Sequence, residues 1–307
     1  MSPDPDAVSQ SLKALAADAA HQDYPAATLY VIATPIGNRA DITVRALACL
    51  ARVDAVAAED TRTARQLLHH YGIAKPMIAA HRHNENEAAA TLVARIAGGA
   101  RIAYVTDAGT PGVSDPGARL VAAVRDAGLR VVPIPGASAL TSAVSAAGLP
   151  DGAILFIGFL PAKASQAAAT LDGLAHSRAH LVFYEAPHRI VDTLALFANA
   201  FGGERRCVIA RELTKRFETI HRCSLADAAP WITADAKRQR GEFVVIVEAD
   251  TQHDDVGDRA MTKALPILTR LCAALPLSEA ASLAAEITGV SRKALYAEAL
   301  RLRGEGD

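Results

Sequence analysis

Short apolar runs alternate with amphipathic stretches through the first half of the chain. The runs are rich in Val, Ile, Leu and Ala and predict β-strands at residues 28–33, 53–58, 77–80, 101–105 and 130–133. Helical periodicity occupies residues 41–50, 63–70, 88–97, 118–127 and 139–147. Strands that are apolar on both faces and alternate with helices are typical of a mostly parallel sheet covered on both sides.

The second half of the chain carries a different mixture of elements. Apolar runs predict strands at residues 154–158, 179–184, 206–211, 217–222 and 243–247, and helices are predicted at residues 164–174 and 190–201. The polar residues 212–216 separate two of the strands as a turn would, which predicts an antiparallel hairpin. A mixed sheet follows from this combination.

The last part of the chain is wholly helical in pattern. Ser278 is expected to cap one helix, Gly289 to end it and Ser291 to cap the next. The predicted inner faces consist of Leu283, Ala284 and Ile287, then Leu295, Ala299 and Leu302. Two helices joined by a short turn with Gly form a helix-turn-helix arrangement. The second helix carries Arg292, Lys293, Arg301 and Arg303, and the alternative is a capping bundle with a solvated basic face.

The predicted fold class is therefore α/β, with two α/β domains and a small C-terminal helical domain of the helix-turn-helix type. We expect a mobile N-terminal tail without a structural role at residues 1–26, with a frayed helix over residues 7–20, and α/β domains at 27–149 and 150–249. An acidic linker is expected at residues 250–260, and a helical domain at 261–307.

Composition narrows the function classes. The 307 residues are 51% hydrophobic and carry a net charge of −1, so the chain can bury a full core and has no general attraction to nucleic acid. Four widely spaced cysteines form no CxxC motif, which argues against a zinc ribbon and suits a reducing cytosol. Without a membrane-length apolar run or a secretory pattern, we expect a cytoplasmic protein.

The loop at residues 106–117 is the most specialised stretch. It holds three glycines and two prolines between a strand and a helix, and either Ser114 or Asp115 is expected to cap that helix. Open α/β sheets bind ligands at such loops, whereas an ordinary βα turn is usually shorter. The loops at residues 34–38, 135–138 and 185–189 share this edge if the strands are parallel. The sequence has no GxxxxGK[ST] motif for a triphosphate and no GxGxxG motif for an ordinary dinucleotide. The expected ligand of this edge is therefore an adenine with its ribose.

Six segments together resemble a known family. They read LYVIATPIGN (29–38), AEDTR (58–62), TDAGTP with SDPG (106–117), PIPGAS (133–138), FYEAPHR (183–189) and RELTK (211–215). With them the chain resembles the tetrapyrrole methylase superfamily, the class III S-adenosylmethionine-dependent methyltransferases, over residues 28–303. Within it, the likeness is to the branch that acts on ribosomal RNA. The resemblance implies S-adenosyl-L-methionine between two α/β domains, a homodimer, and 2′-O-methylation of a decoding-region cytidine of 16S rRNA in the 30S subunit.

The resemblance also implies a set of cofactor-binding residues. They are Pro35, Ile36, Gly37, Gly109, Thr110, Pro111, Val113, Ser114, Ser138, Ala139, Tyr184 and Ala210. The tetrapyrrole enzymes of the superfamily carry a Gly-x-Gly-x-Gly-like first loop, which here reads TPIGN.

Methyl transfer to a ribose hydroxyl benefits from a general base. The candidates at the predicted cleft are Asp60, Glu85, Glu185, His188, Glu212 and, if burial lowers its pKa, Lys215. We favour Glu185 with His188 as the general base. The structural alternative for any one carboxylate is a helix cap or a surface ion pair. Asp41 and Asp115 are interpreted as caps. His81, His83 and Glu85 have metal-like spacing, but the displacement needs no metal and Arg82 would repel one, so no metal is expected.

RNA contact is expected from local basic residues. These are Arg62, Arg65, Arg189, Arg211, Lys215 and Arg216, with the helix that starts at Arg292. Tyr184, Phe159 and Tyr296 are candidate stacking platforms or core residues. Two other functions stay open: a methyltransferase of a corrin or porphyrin precursor, which would not need the basic tail, and a ligand-sensing regulator that binds duplex DNA.

Overall fold

Five parallel strands form the first sheet of the computed structural model, which describes residues 5–81, 84–250 and 256–302. The strands are β1 (Thr28–Ile32), β2 (Ala55–Ala58), β3 (Met77–Ala79), β4 (Arg101–Val105) and β5 (Arg130–Ile134). Their order is β3-β2-β4-β1-β5, and every pairing is parallel. The predicted parallel sheet is therefore confirmed.

Helices cover both faces of this sheet. They are α2 (Val44–Arg52) and α3 (Thr61–His70) on one face and α4 (Glu85–Ala97) and α5 (Ala118–Asp126) on the other. The helix α6 (Ala139–Ala146) packs instead against a second sheet. Alternate residues of one strand enter separate cores, since Tyr30 and Ile32 pack with α2 and α3, whereas Leu29 packs with α4 and α5. This division explains why the strand sequences are apolar throughout.

The second sheet is mixed. Its strands are β6 (Ile154–Phe159), β7 (His180–Glu185), β8 (Arg206–Arg211), β9 (Thr219–Ser224) and β10 (Phe243–Val247), in the order β6-β7-β10-β8-β9. Only β6 and β7 pair in parallel, and β8 and β9 form the predicted antiparallel hairpin. The helices α7 (Ala164–Leu174), α8 (Ile190–Phe201) and α9 (Leu225–Thr233) lie on one face. The other face packs Val182, Val208 and Val244 against α6 and Ile36.

The expected N-terminal tail has structural contacts. Residues Pro5–His21 form α1, whose last turn buries Ala19. The buried Tyr24 donates from its hydroxyl to the Ala19 carbonyl (3.0 Å), and Arg52 of α2 donates to the Ala20 carbonyl (2.8 Å). The expectation that residues 1–26 have no structural role was therefore wrong for this part of the segment.

Three predicted caps are also wrong. Asp41 lies in a short 3-10 turn that Asn38 caps, and Thr43 instead caps α2 by accepting from the Ala46 amide (3.1 Å). Neither Ser114 nor Asp115 caps α5. Its N-cap is Gly117, whose amide donates to a Glu85 carboxylate oxygen (3.3 Å) from the neighbouring helix α4. The helix α5 therefore starts without a side-chain cap.

Helices of the C-terminal part form a separate compact unit. The described residues of Met1–Leu174 and Ala179–Glu248 make up one unit, and those of Ala175–Arg178 and Ala249–Asp307 the other. The second contains α10 (Val256–Ala274), α11 (Leu277–Thr288) and α12 (Arg292–Leu302). Because α10 starts at Val256, the expected linker at 250–260 was wrong in that part, while residues 251–255 lie outside the described residues.

Details of these helices correct the predicted faces. Gly289 ends α11 in the left-handed conformation, and the Ser291 hydroxyl caps α12, both as predicted. Pro276, not Ser278, is the N-cap of α11. Ala284, Leu295 and Ala299 are buried as predicted, whereas Leu283, Ile287 and Leu302 are exposed. Leu268, Leu277 and Ala281 belong to this core as well. Arg303 lies outside the described residues. No described helix has the length and apolar character needed to cross a bilayer.

Candidate active site

The loops that follow β1, β4 and β5 are bonded to one another. Thr34 and Gly109 exchange backbone hydrogen bonds of 2.9 and 3.1 Å. The Thr34 hydroxyl also donates to the Thr106 carbonyl (3.3 Å), and the Thr110 hydroxyl donates to the Ala137 carbonyl (3.1 Å). As predicted, three loops of the first sheet therefore meet at one edge.

The second sheet brings two of its strands to the same place. β10 runs antiparallel to β7, with Phe243 opposite Glu185 and Val244 opposite Tyr184. The amino end of β10 thus lies beside the carboxyl end of β7. This juxtaposition depends on pairing between strands far apart in the chain, so no local motif in the sequence predicts it.

Between these loops and strands lies a cavity of about 380 Å³, the central pocket. Eight of the twelve residues expected to bind the cofactor line it: Ile36, Gly109, Thr110, Val113, Ser114, Ser138, Ala139 and Tyr184. The remaining lining residues are Ala108, Asp115, Phe159, Glu185, Ala186, Pro187, Leu213, Glu242, Phe243 and Val244. Two of these ten residues are also predicted from the sequence: Phe159 as a stacking platform and Glu185 as a general base.

Four expected cofactor residues do not line the central pocket. Pro35 and Pro111 are absent from its wall, and Ala210 is fully buried opposite Val244 in the sheet. Gly37 instead lines a neighbouring, widely open depression of the surface, which we call the basic cavity. That cavity is formed by Gly37, Asn38, Arg39, His70, Thr214, Lys215 and Arg216.

Close backbone approach shapes the pocket wall. Gly109 has a φ of +83°, and a Cβ there would lie 3.1 Å from Cγ2 of Ile36. Ser114 has a φ of +65° without being glycine, and its hydroxyl lies where a Cβ on Gly158 would be. Such conformations are uncommon for residues with side chains and concentrate at functional sites.

The polar groups of the central pocket are acidic or neutral. Burial raises the pKa of the half-buried Asp115 carboxyl, and the nearby charge of Asp107 raises it further. Burial also raises the pKa of Tyr184, whose hydroxyl accepts from the Leu140 amide (3.0 Å). No Lys, Arg or His is found among the described residues that line the pocket.

Glu185 is held in place by the fold, although it lies at the pocket. Its side chain is only 1% exposed and lies 3.5 Å from Nε of Arg189. One carboxylate oxygen accepts from the Ala186 amide (2.7 Å) and the other from the Thr193 hydroxyl (2.6 Å). His188 is exposed and does not line the pocket. These contacts argue against the pair Glu185 and His188 as the base.

The other predicted bases are also engaged. Asp60 caps α3 through the Arg62 amide (2.8 Å), and Glu85 accepts from Gly117 as described above. Burial alone lowers the pKa of Lys215, but hydrogen bonds to Glu242 and Glu212 outweigh it and the pKa is raised. Lys215 could act as a base only with a lowered pKa, so the raised pKa argues against this role.

Two of the arginines expected to contact RNA are used by the fold. Arg189 donates to the carbonyls of Leu160 and Pro161, which joins the loop after β7 to the loop after β6. Arg211 is buried and donates to three carbonyls, those of Lys237, Phe217 and Arg240.

The remaining candidates lie at the surface. Arg62, Arg65 and Arg216 are exposed, and Arg292 donates to the Ser278 hydroxyl (3.0 Å). Phe159 is exposed at the pocket edge, next to the Tyr184 ring, and Tyr296 is exposed on α12. Arg82 and His83 lie outside the described residues. Among the residues that are described, no cluster of three His, Cys, Asp or Glu side chains suits a metal ion.

Comparison with known families agrees with this architecture. Residues 28–229 match the sequence model of the tetrapyrrole (corrin/porphyrin) methylases, and residues 260–303 match that of the RsmI C-terminal HTH domain. Among solved structures, the methyltransferase CobJ has a TM-score of 0.54 at 21% identity and covers 73% of this chain and 93% of its own. A uroporphyrin-III C-methyltransferase from Thermus thermophilus, complexed with S-adenyl homocysteine, has a TM-score of 0.50 at 16% identity, with 72% and 96% covered.

Curated relatives are much more similar over nearly their whole length. Ribosomal RNA small subunit methyltransferase I of Pseudomonas aeruginosa is 49% identical over 280 residues, which cover 91% of this chain and 99% of that protein. The protein of the same name from Escherichia coli O157:H7 is 46% identical, with 90% and 96% covered. The chain therefore belongs to the tetrapyrrole methylase family and, within it, to the ribosomal RNA small subunit methyltransferase I proteins.

Proposed function

We propose that this protein is an S-adenosylmethionine-dependent methyltransferase of small-subunit ribosomal RNA, and that it methylates the 2′-hydroxyl of a decoding-region cytidine. Family membership supports the rRNA methyltransferase activity. The finer assignment, with a homodimer acting on 30S subunits, rests on the motif resemblance, and the cytoplasmic location rests on the composition of the chain. The structural observation that carries the proposal is a central pocket whose described lining has no basic side chain.

The residues present suit S-adenosylmethionine. A volume of about 380 Å³ falls within the range of small-molecule sites. Ile36, Val113 and Leu213 give apolar walls for an adenosyl group, and the absence of a side chain at Gly109 lets the backbone pack close to Ile36 at the pocket wall. Asp115 supplies negative charge for a cationic ligand, whereas a phosphate chain would meet no cation among the described lining residues.

The bound cofactor would supply a methyl group on a positively charged sulfur. The protein's own contribution is to orient the cofactor and the acceptor ribose and to enclose them. Alignment of two reactants can account for ~7–11 kcal/mol of a reaction barrier. Tyr184, held by the Leu140 amide and by edge contact with Phe156 at 4.9 Å, gives the pocket a fixed aromatic wall. Arg189 ties two wall loops together through carbonyls of the loop after β6.

The test uses isotope-labelled S-adenosylmethionine with 30S subunits from cells that lack ribose methylation of 16S rRNA. We expect label in 16S rRNA at a cytidine whose 3′ linkage becomes resistant to alkali, because a 2′-O-methyl group removes the attacking hydroxyl. Matched 50S subunits should stay unlabelled. Label on a base, or label only on a corrin or porphyrin precursor, would overturn the proposal.

We expect Asp115→Asn to weaken binding of S-adenosylmethionine, whose sulfur carries a positive charge, by about tenfold. A hydrogen bond to a charged group contributes about 1.5 kcal/mol, close to a factor of ten. Because only the ionised carboxylate attracts a cation, affinity should rise with pH through the raised pKa of Asp115 and level off above it. Titration calorimetry at several pH values measures both effects. Asp126→Asn, exposed at the end of α5, is the control, and equal affinities of the two variants would refute this role.

A further inference from the structure

The basic cavity lies just beyond the wall of the central pocket. Ile36 lines the pocket, while the following residues 37–39 line the cavity. In the same way Leu213 lines the pocket and residues 214–216 line the cavity. Since consecutive Cα atoms are about 3.8 Å apart, the two spaces are separated by roughly the thickness of one residue.

We propose that the basic cavity binds the sugar–phosphate backbone of single-stranded RNA next to the nucleotide that is methylated. This inference rests on the proposed function, because it identifies where the acceptor strand lies. A strand held there would be positioned to place one ribose at the opening of the central pocket.

The charges of the two spaces are opposite. Within the described parts of the chain, neither Arg39 nor Arg216 forms an ion pair with a carboxylate, and Arg39 lies 3.3 Å from Nδ1 of His70. Arg216 lies over the ring of Phe217, which is 65% exposed. Unpaired guanidinium groups bind phosphates, and an exposed aromatic ring can stack on a base. The central pocket, by contrast, has carboxylates at its wall.

The cationic surface continues along α3. A second concave region on α3 is formed by Arg62, Arg65, Gln66 and His69, of which Arg62 is paired with Asp60 (3.4 Å). His69 precedes His70 of the basic cavity in the chain, and the two regions together exceed the size of a single phosphate ion. A chain of several phosphates therefore matches this surface better than an isolated anion does.

Lys215 forms the boundary between the pocket and the cavity. Its side chain lies across Gly37, where a Cβ would be 2.6 Å from Cγ and 2.7 Å from Cε of the lysine. Its Nζ is bonded to carboxylates of Glu212 (2.9 Å) and Glu242 (2.8 Å), and Glu242 also lines the central pocket. Because these carboxylates neutralise its charge, Lys215 is a positioning residue and leaves Arg39 and Arg216 as the phosphate ligands.

The loop that carries Lys215 has an unusual backbone. Glu212 and Thr214 have φ values of +52° and +66°, although neither is glycine and Thr is branched at Cβ. The Thr214 amide donates to a Glu218 carboxylate oxygen (2.6 Å), which helps to hold the conformation. Strained conformations of this kind persist mainly at ligand and active sites.

The test compares two double variants of the full-length protein. Arg39→Gln with Arg216→Gln removes both proposed phosphate ligands, and Arg95→Gln with Arg125→Gln removes the same charge from exposed positions on α4 and α5. Binding of a short labelled single-stranded RNA is followed by fluorescence anisotropy over a range of salt concentrations. S-adenosylhomocysteine affinity is measured in parallel by calorimetry, and methylation of 30S subunits gives KM and kcat.

We expect the Arg39/Arg216 variant to bind RNA about tenfold more weakly, with a salt slope smaller by about 1.4, because each single-strand phosphate contact contributes ~0.7. KM for 30S subunits should rise while S-adenosylhomocysteine affinity stays unchanged. RNA binding equal to that of the Arg95/Arg125 variant would overturn the inference. Selective displacement of RNA by inorganic phosphate, beyond the effect of chloride at equal ionic strength, would overturn the RNA assignment in favour of a phosphate site.

The acceptor-strand site and the methyltransferase activity can be refuted separately. If the wild type methylates 30S subunits but the Arg39/Arg216 variant keeps its RNA affinity, only the acceptor-strand site is refuted. If the wild type neither binds S-adenosylhomocysteine nor methylates rRNA, the proposed function itself fails.

Discussion

Replacing Gly117 by alanine should destabilise the first unit by about 4 kcal/mol, the sum of steric overlap and backbone strain. A Cβ at Gly117 would overlap Cε1 of Tyr104 and lie 2.9 Å from its Cζ and hydroxyl oxygen. Tyr104 is fully buried and donates to the Pro116 carbonyl (2.9 Å), so the ring has no room to move. Gly117 also has a φ of +121°, which disfavours any side chain. Urea unfolding followed by the single tryptophan, Trp231, reports on this unit.

Gly112→Ala provides a matched control in the same loop. Gly112 also has a positive φ, of +82°, but nothing lies within 4 Å of the position that a Cβ would take. The control should therefore lose only about 1 kcal/mol from the left-handed backbone. If the two variants were equally stable, the contact between Gly117 and Tyr104 would not be what fixes the end of the loop.

Glu185→Ala is expected to destabilise the same unit by about 3 kcal/mol. The substitution removes the acceptor of the buried Thr193 hydroxyl and of the Ala186 amide, and it leaves Arg189 without its carboxylate. Unsatisfied buried donors and broken ion pairs of this kind typically lower stability by about 2–4 kcal/mol. Thermal and urea unfolding measure the loss. Glu87→Ala, at an exposed position on α4, should stay within about 0.5 kcal/mol of the wild type.

Glu185→Gln separates a structural role from a catalytic one. Glutamine keeps an acceptor for Thr193, so this variant should be more stable than Glu185→Ala and should methylate at a rate close to that of the wild type per folded molecule. A folded Glu185→Gln protein with normal cofactor affinity and a rate lower by ~10²-fold or more would instead restore Glu185 as the general base.

The meeting of the first-sheet loops at one edge was predictable because parallel strands place their carboxyl ends together, whereas the residues expected to bind the cofactor came from the family resemblance. Ile36, Gly109, Thr110 and Ser138 each follow a strand that the hydrophobic pattern reveals, and all four line the central pocket. The walls from β10 were not predictable in this way. Glu242 precedes its strand, and only antiparallel pairing with β7 brings it to the pocket.

The roles of charged residues were the least predictable feature. Arg189 and Arg211 have the same side chain as Arg39 and Arg216, yet the first two donate to backbone carbonyls inside the fold. Asp115 was interpreted as a cap because it precedes a helix, whereas Glu85 of another helix bonds to the Gly117 amide. Local sequence gives the chemical group but not the partner that the fold provides.

By itself, the sequence determined the succession of strands and helices, the parallel pairing of the strands in the first half, the hairpin of the second half and the glycine-rich loop. These depend on periodicity and on backbone restrictions, which act over a few residues. The tertiary structure decided which polar side chains are free to meet a ligand. Glu185 is held by hydrogen bonds from its neighbours, whereas Asp115 lines the pocket. In both cases the burial comes from contacts with segments far apart in the chain. No local pattern specifies such contacts, since they depend on how the elements pack.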